Sequence, residues 1–424
     1  MATSITTAIE LTNIASTGPG STWAPRNVTT NKQQPPIIDD VLEASHVADS
    51  TAPDGGYGWV VILSGFILLW WSLGTTYAWG VMQTALVAQG LSNPAVLSFV
   101  GSLQAALISA LAIVNSRFMR KVISTVPSQY FSAKRGLANG FMFAGSGFGG
   151  AAVSFILDAL IQKLGTAWAY RIIGLMTLAT GVPAAWMIKE RAPIARRSAI
   201  EWYALDLLAS HRCNRRAENI YCRRLFKSLV FNLVFLGSAI GTFPLFVPPF
   251  FIPLYAKSLG FSSNVGAGLV AGFSLSSAAG RILSGLASDR IGSLNAVFVS
   301  LVFTTITMLA IWPTSTTLGP LIVFVVINGA ANGAFFSTMP TAISKVFGSA
   351  RVAVAMSMVV TGWIGGYLMG APIAGYLLEN FGGVDGGLQA YRPAMFYAGS
   401  LAFVSGILIL TARFRINKSL LAIV

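Results

Sequence analysis

Arg281 is the residue of this chain that most needs a chemical explanation. It stands eight positions before Asp289 in an otherwise apolar run. On a helix rising 1.5 Å per residue, that places it about 12 Å inward of the acidic end. A guanidinium at such depth costs several kcal/mol unless it faces a cavity or a partner. Its planar fork suits a carboxylate. Two readings are open: Arg281 holds an anionic solute, or it is a structural partner of Asp289 in a gate. Other polar side chains interrupt the apolar runs. Tyr77, Trp79 and Gln83 close the first run, and Asn328 and Asn332 share one helical face four residues apart. They could line a cavity and hydrogen-bond a solute, but interfacial aromatics and helix-to-helix hydrogen bonds account for them equally well. Asp158, at the outer end of its run, is a weaker candidate for proton coupling.

Enzyme chemistry has no foothold. There is no phosphate-binding glycine loop, no HExxH pair and no Ser/His/Asp order. The two histidines, His46 and His211, lie outside the apolar runs, and Cys213 and Cys222 match no zinc or redox spacing. No metal and no cofactor are expected.

The elements that must position these residues follow from composition. The 424 residues are 54% hydrophobic and only 10% charged, against about 25% charged in a soluble domain. Too little charge remains to cover a water-facing surface, so the chain reads as an all-α polytopic membrane protein. Ten spans are expected, at roughly 58–80, 96–116, 136–160, 168–188, 228–256, 264–287, 294–313, 317–339, 351–378 and 394–414. Residues 1–53 read as a disordered cytosolic tail and 54–188 as a first bundle of four helices. A basic cytosolic loop follows at 189–227, then a second bundle of six helices at 228–414 and a short tail at 415–424. With the N-terminus inside, the inward segments after the tail hold 21 Lys and Arg and the outward segments 4. The net charge of +14 is thus a topology signal, and no nucleic-acid partner is expected.

The halves repeat a phrase. Ser124-Thr125-Val126-Pro127 leads to Phe131 and Arg135, and Ser337-Thr338-Met339-Pro340 leads to Phe347 and Arg351. A glycine-rich helix follows each, around 145–150 and around Gly362, Gly365 and Gly366, as in secondary transporters built from internal repeats. In the second half roughly 47 residues with two helices separate Arg290 from Ser337. In the first half only Val122 and Ile123 separate Lys121 from Ser124. One helical hairpin of the first half is missing. Residues 203–222 read as unrelated to their surroundings, so a lost exon after Lys121 and a retained intron at 203–222 are expected.

Asp54-Gly55-Gly56-Tyr57-Gly58-Trp59 at the mouth of the first helix resembles the opening motif of monocarboxylate porters, a branch of the major facilitator superfamily. Gly280-Arg281 through Gly285, with Ser288-Asp289-Arg290-Ile291-Gly292, resembles that family's eighth helix and following loop. The runs 241–249 and 326–333 are similar to fungal members. The resemblance covers roughly 52–200 and 225–415. It implies two six-helix bundles with alternating access, here with four helices in the first. It further implies a small organic anion as substrate, with Arg281 holding its carboxylate and Tyr77, Trp79, Asn328 and Asn332 beside it. Gly285, Asp289 and Arg290 would form a cytosolic latch, and Asp54, Gly55, Gly56 and Trp59 the entrance motif. A plasma-membrane location with both termini cytosolic is the family default.

Two departures touch the substrate. Animal carriers of this type place a lysine four residues after a Tyr-Ala pair, where Val81 stands here. They also place an aspartate four residues before the arginine, where Ser277 stands. Proton symport of lactate or pyruvate is thereby weakened. A larger, riboflavin-like solute and a non-transporting sensor or remnant stay open.

Overall fold

The computed structural model describes residues 55–118, 130–131, 135–188, 226, 228–347 and 352–417. The expected tail, Asp54, the repeated phrase at 124–127, Arg351 and the stretch 203–222 lie outside the described residues. All regular elements within them are helical: α1 Gly58–Tyr77, α2 Trp79–Ala88, α3 Pro94–Phe118, α4 Arg135–Met187, α5 Leu229–Gly241, α6 Val247–Ser258, α7 Ser263–Ile291, α8 Ser293–Ile306, α9 Leu318–Phe347, α10 Val352–Asn380 and α11 Gly387–Ile416. A π turn at Thr307–Ile311 and a 3-10 turn at Trp312–Thr314 extend α8. Gly165, at φ 79° and ψ 170°, splits α4 into two rods. These fall on the two spans expected around it.

Among the described residues, seven helices are long and apolar enough to cross a membrane, with Leu137–Met187 running as one stretch of 51 residues. Pro94–Leu107 and Leu229–Gly241 are shorter apolar helices. Large apolar side chains such as Leu175, Leu178, Val182 and Trp186 stand exposed on the outer surface, as hydrocarbon solvent allows.

Two expected spans are bent rather than straight. The first continues through Ala78 into α2, giving a 31-residue span Gly58–Ala88. The fifth is broken between α5 and α6, where Pro244, Pro248, Pro249 and Pro253 crowd the sequence. Proline lacks the N–H that a helix requires four residues on. Pro249 therefore leaves the Leu245 carbonyl without its helical donor, in the middle of the protein.

The repeat in the sequence reappears as repeated packing. Gly145 and Gly149 of α4 lie against Phe66 and Trp70 of α1, and a Cβ at Gly149 would stand 2.7 Å from the Trp70 Cα. In the second half Gly362, Gly366 and Gly370 of α10 lie against Phe235, Thr242 and Phe243, on and just beyond α5. Small residues let helices approach where no hydrophobic drive brings them together. The halves meet along two seams, α4 on α7 and α3 on α10. Gly140, Gly147 and Gly150 face Arg281, Ala278 and Ser274 across the first seam, and Gly375 faces Ala95 across the second. At one end of the molecule Ser263 Oγ donates to Asp158 Oδ1 at 2.8 Å, and Asn93 Nδ2 to Glu379 Oε1 at 2.9 Å. At the other end lie Arg290, Lys345, Arg413 and Arg415, with Lys345 Nζ on the Ser288 carbonyl at 3.3 Å.

By this correspondence α3 answers to α7 and the second rod of α4 to α11. The helix α8 and its continuation into α9 pack on α7 and α11 in the second half. Only 16 positions separate Phe118 from Arg135, too few for a spanning hairpin. Where α8 has no first-half counterpart, an apolar groove of about 590 Å³ lies open, lined by Trp79, Leu86, Leu97, Val100, Ala167 and Tyr170 among others.

Two predictions follow from this packing. Gly149→Ala should lower the melting temperature of the purified protein, by a destabilisation of about 1–3 kcal/mol for overpacking against the α1 backbone. Gly365→Ala, whose Cβ would meet nothing within 4 Å, should be neutral or slightly stabilising. Equal melting points for the two variants would contradict the packing. Sequencing the transcript across codons 110–135 and 195–230 should add about 45 apolar codons after Lys121, enough for two membrane-crossing helices, and remove most of 203–222. A message matching the chain as it stands would refute the lost hairpin.

Candidate functional site

The broken helices converge on Arg281. Its side chain is fully buried, at 0% exposure. Nη2 donates to the Tyr77 hydroxyl at 2.8 Å, and Nη1 to the Phe143 carbonyl of α4 at 2.6 Å. The Tyr77 hydroxyl in turn donates to Asn332 Oδ1 at 3.1 Å. Asn332 Nδ2 donates to the Leu245 carbonyl at 2.8 Å, the group that Pro249 leaves without a donor. One chain of hydrogen bonds thus links α7, α1, α9 and the α5–α6 break, with a branch to α4. It crosses between the halves at Tyr77 and at Phe143.

Among the described residues Arg281 has neutral partners only. No carboxylate among the described residues pairs with it, and Nε has no hydrogen-bond partner. Its charge is instead spread over aromatic faces, with Cζ 5.7 Å from the Tyr77 ring centroid and 5.5 Å from that of Phe336. Tyr77 packs on Phe246 at 5.7 Å, Phe246 on Tyr367 at 5.2 Å, and Tyr367 on Phe336 at 6.4 Å. The circuit of four rings closes on Arg281. Trp363 stands beside it, 6.1 Å from Phe336 and 6.2 Å from Tyr367, with its indole N–H buried and unpartnered.

The structure brings Arg281, Tyr77 and Asn332 together and leaves Trp79 and Asn328 apart. Trp79 Nε1 donates to the Leu97 carbonyl at 3.1 Å, and its ring packs on Gly101 and lines the apolar groove. Asn328 Nδ2 donates to Thr307 Oγ1 at 2.7 Å, in the π turn after α8. Gln83 Nε2 donates to Ser98 Oγ at 2.9 Å. A shared helical face does not guarantee a shared neighbour. Asn328, a turn earlier than Asn332, meets a different helix.

The expected latch residues sit at the basic end of α7. Gly285 is buried and Arg290 exposed, while the Asp289 side chain lies outside the described residues. Gly55 and Gly56 form the turn that starts α1, Gly56 at φ 64°, with the Gly58 and Trp59 N–H groups returning to the Gly55 and Gly56 carbonyls. Trp59 is half-exposed and sets its ring edge-to-face on Phe131 at 5.1 Å. The Tyr57 hydroxyl donates to the Met187 carbonyl at 2.8 Å. The motif therefore ties the start of α1 to the end of α4. Asp158 is engaged by Ser263 and Gln162 at the far end, away from Arg281.

The sequence reading missed Phe246, Phe336, Trp363 and Tyr367. The signal available was weak: Phe336 precedes the Ser337-Thr338-Met339-Pro340 phrase, and Trp363 and Tyr367 lie four apart inside the second glycine-rich helix.

A repeated helical bundle, with broken first helices and a buried cation on the seam between halves, defines a polytopic membrane protein of the two-bundle transporter class. The comparison with known sequences agrees. The Major Facilitator Superfamily profile matches residues 47–317 and 234–420, so the chain belongs to that superfamily. It is similar to the agnestins efflux protein AgnL12 of Paecilomyces divaricatus, 30% identical over 294 residues, which cover 69% of this chain and 61% of the relative. It is also similar to the MFS transporter asaE of Aspergillus flavus, 28% identical over 69% of this chain and 62% of the relative. A longer match, to the aspyridones efflux protein apdF of Emericella nidulans, is 27% identical over 83% of this chain and 78% of the relative. The chain spans about six-tenths of the length of the first two relatives.

The hydrogen-bond chain yields a stability prediction. Asn332→Leu leaves the Leu245 carbonyl without its donor and the Tyr77 hydroxyl proton without its acceptor in a buried setting, although the hydroxyl still accepts from Arg281. Orphaned groups of this kind cost about 1–3 kcal/mol each. The variant should melt several degrees below the wild type in detergent. An unchanged melting temperature would mean that another donor reaches Leu245.

Proposed function

We propose that this protein is a secondary transporter that moves an organic anion across a membrane by alternating access, with Arg281 as the anion-binding residue. The observation that carries this reading is a fully buried guanidinium with neutral partners only among the described residues, placed where both halves and both broken helices meet. An internal carboxylate would fix such a charge permanently. Hydroxyl, carbonyl and ring faces stabilise it while leaving an anion free to compete for the Nε edge.

Access alternates by rocking of the halves about the α4–α7 and α3–α10 seams. In the observed state the Ser263–Asp158 and Asn93–Glu379 bonds join the halves at the end opposite the basic one. Opening at that end requires both to break. The two relatives named as efflux proteins support outward movement. The basic end, with Arg290, Lys345, Arg413 and Arg415, faces the cytosol on the positive-inside reading, with the plasma membrane as the location. A monocarboxylate is the simplest organic anion with the planar group that the Arg281 fork would pair; Val81 and Ser277 stand where proton-coupled lactate carriers of this type have charged groups, so proton symport is not part of the reading.

Flux of labelled organic anions into proteoliposomes tests the proposal. Arg281→Gln should abolish flux while membrane insertion is retained. Arg281→Lys, which keeps the charge and loses the planar fork, should reduce flux by roughly tenfold or more. Normal flux in Arg281→Gln would remove Arg281 from the site.

A further inference from the structure

We infer that the substrate is a planar, conjugated organic anion, and that Phe246, Phe336, Tyr367 and Trp363 are the residues that select it over aliphatic acids of the same charge. This rests on the anion-transport reading and narrows it.

The argument starts from what surrounds the cation. Four rings close a circuit with Arg281, contributed by α1, the α5–α6 break, α9 and α10. Their geometry is that of rings in mutual contact: Phe246 meets Tyr367 at an interplanar angle of 60°, while Tyr367 and Phe336 tilt by only 31°. Aromatic pairs at these separations gain from edge-to-face and offset contacts beyond the area they bury. A solute reaching Arg281 must part these rings. A flat π-system restores the lost contacts with its own faces and edges. A saturated skeleton restores dispersion only.

Two buried N–H groups beside the Phe336 ring have no acceptor among the described residues: Arg281 Nε and Trp363 Nε1. Trp363 is 6% exposed, so water does not readily satisfy it. Buried donors are ordinarily paired. A ligand that places its anionic group on Arg281 and a carbonyl or enolate oxygen on Trp363 would satisfy both. A short monocarboxylate has a single acceptor group, which Arg281 would occupy.

Arg281 and the rings of the circuit lie on α7, α1, the α5–α6 break, α9 and α10, and none of these residues lines the apolar groove of the first half, so the chain as it stands presents the site for a binding measurement.

The test uses two sulfonates that stay ionised and do not leak as neutral acids: naphthalene-2-sulfonate and its saturated decahydronaphthalene counterpart. Binding to the protein in lipid nanodiscs is measured by calorimetry, alongside flux in proteoliposomes. The flat probe should bind more tightly by on the order of tenfold. Phe336→Leu and Tyr367→Leu should weaken the flat probe more than the saturated one and so collapse that ratio towards one, with a cooperative melting transition showing that the variants are folded; a ratio unchanged in both would overturn the role of these rings. Anthraquinone-2-sulfonate, which carries carbonyl acceptors, should lose affinity in Trp363→Phe, and naphthalene-2-sulfonate should not. Equal binding of the flat and saturated probes, with both lost in Arg281→Gln, would overturn the planar selectivity and leave the anion site standing. Binding of both probes unchanged by Arg281→Gln would overturn the anion site and the inference with it.

Discussion

A guanidinium buried between two halves of a membrane protein constrains everything around it. Arg281 cannot be hydrated where it lies, and no described carboxylate neutralises it. Its charge is carried by one hydroxyl, one main-chain carbonyl and two ring faces. Each of these is weaker than an ion pair, and together they hold the side chain without saturating it. The arrangement makes the centre dependent on both halves at once. Moving α1 or α4 away from α7 strips the arginine of a partner, so the empty protein is held closed by the group that an anion would engage.

One of these links exists because a helix is imperfect. A carbonyl inside a regular helix, like that of Phe143, offers a neighbour only its second lone pair, whereas a carbonyl at a break lacks its helical donor altogether. Pro249 frees the Leu245 carbonyl, Asn332 claims it, and the same amide accepts the Tyr77 hydroxyl proton. Irregular backbone at membrane depth is tolerated only where protein or water satisfies it. Here one asparagine does so and, in the same step, orients the tyrosine on the arginine. The break in the first half falls at Ala78, beside the same tyrosine. The two halves thus meet at their points of weakest helical order, and bending there is less costly than elsewhere.

Arg281, Tyr77 and Asn332 were legible in the sequence because a polar side chain in an apolar run must find a partner. The helical character of the chain was legible for the same reason in reverse, since long apolar runs admit little but helices, although seven helices among the described residues, not ten, are long and apolar enough to cross a membrane. Trp79 and Asn328 looked equivalent to the true members of the cluster. Helical periodicity assigns a residue to a face of its own helix, whereas the neighbour on that face is set by the angle at which helices cross. The π turn at Thr307–Ile311, which Asn328 meets, left no mark in the residue pattern. The aromatic circuit was illegible for a different reason. In a chain with 27 Phe, 11 Tyr and 10 Trp, aromatic type alone distinguishes nothing, and four rings from four separate segments become a unit only in three dimensions.

The asymmetry between the halves bears on what the incomplete half can still do. Helix α7 is held in its own half by α9, packed so tightly that a Cβ at Gly280 would stand 2.7 Å from the Ala330 Cα. Among the described residues its counterpart α3 has no such partner and packs chiefly along α10 of the opposite half. Rocking about the α3–α10 seam therefore loads α3 directly, whereas α7 moves as part of a braced pair. The circuit of rings around Arg281 draws nothing from α3, so its geometry and the stiffness of the first half rest on different parts of the molecule. A hairpin beside α3 would brace it in its own half as α9 braces α7.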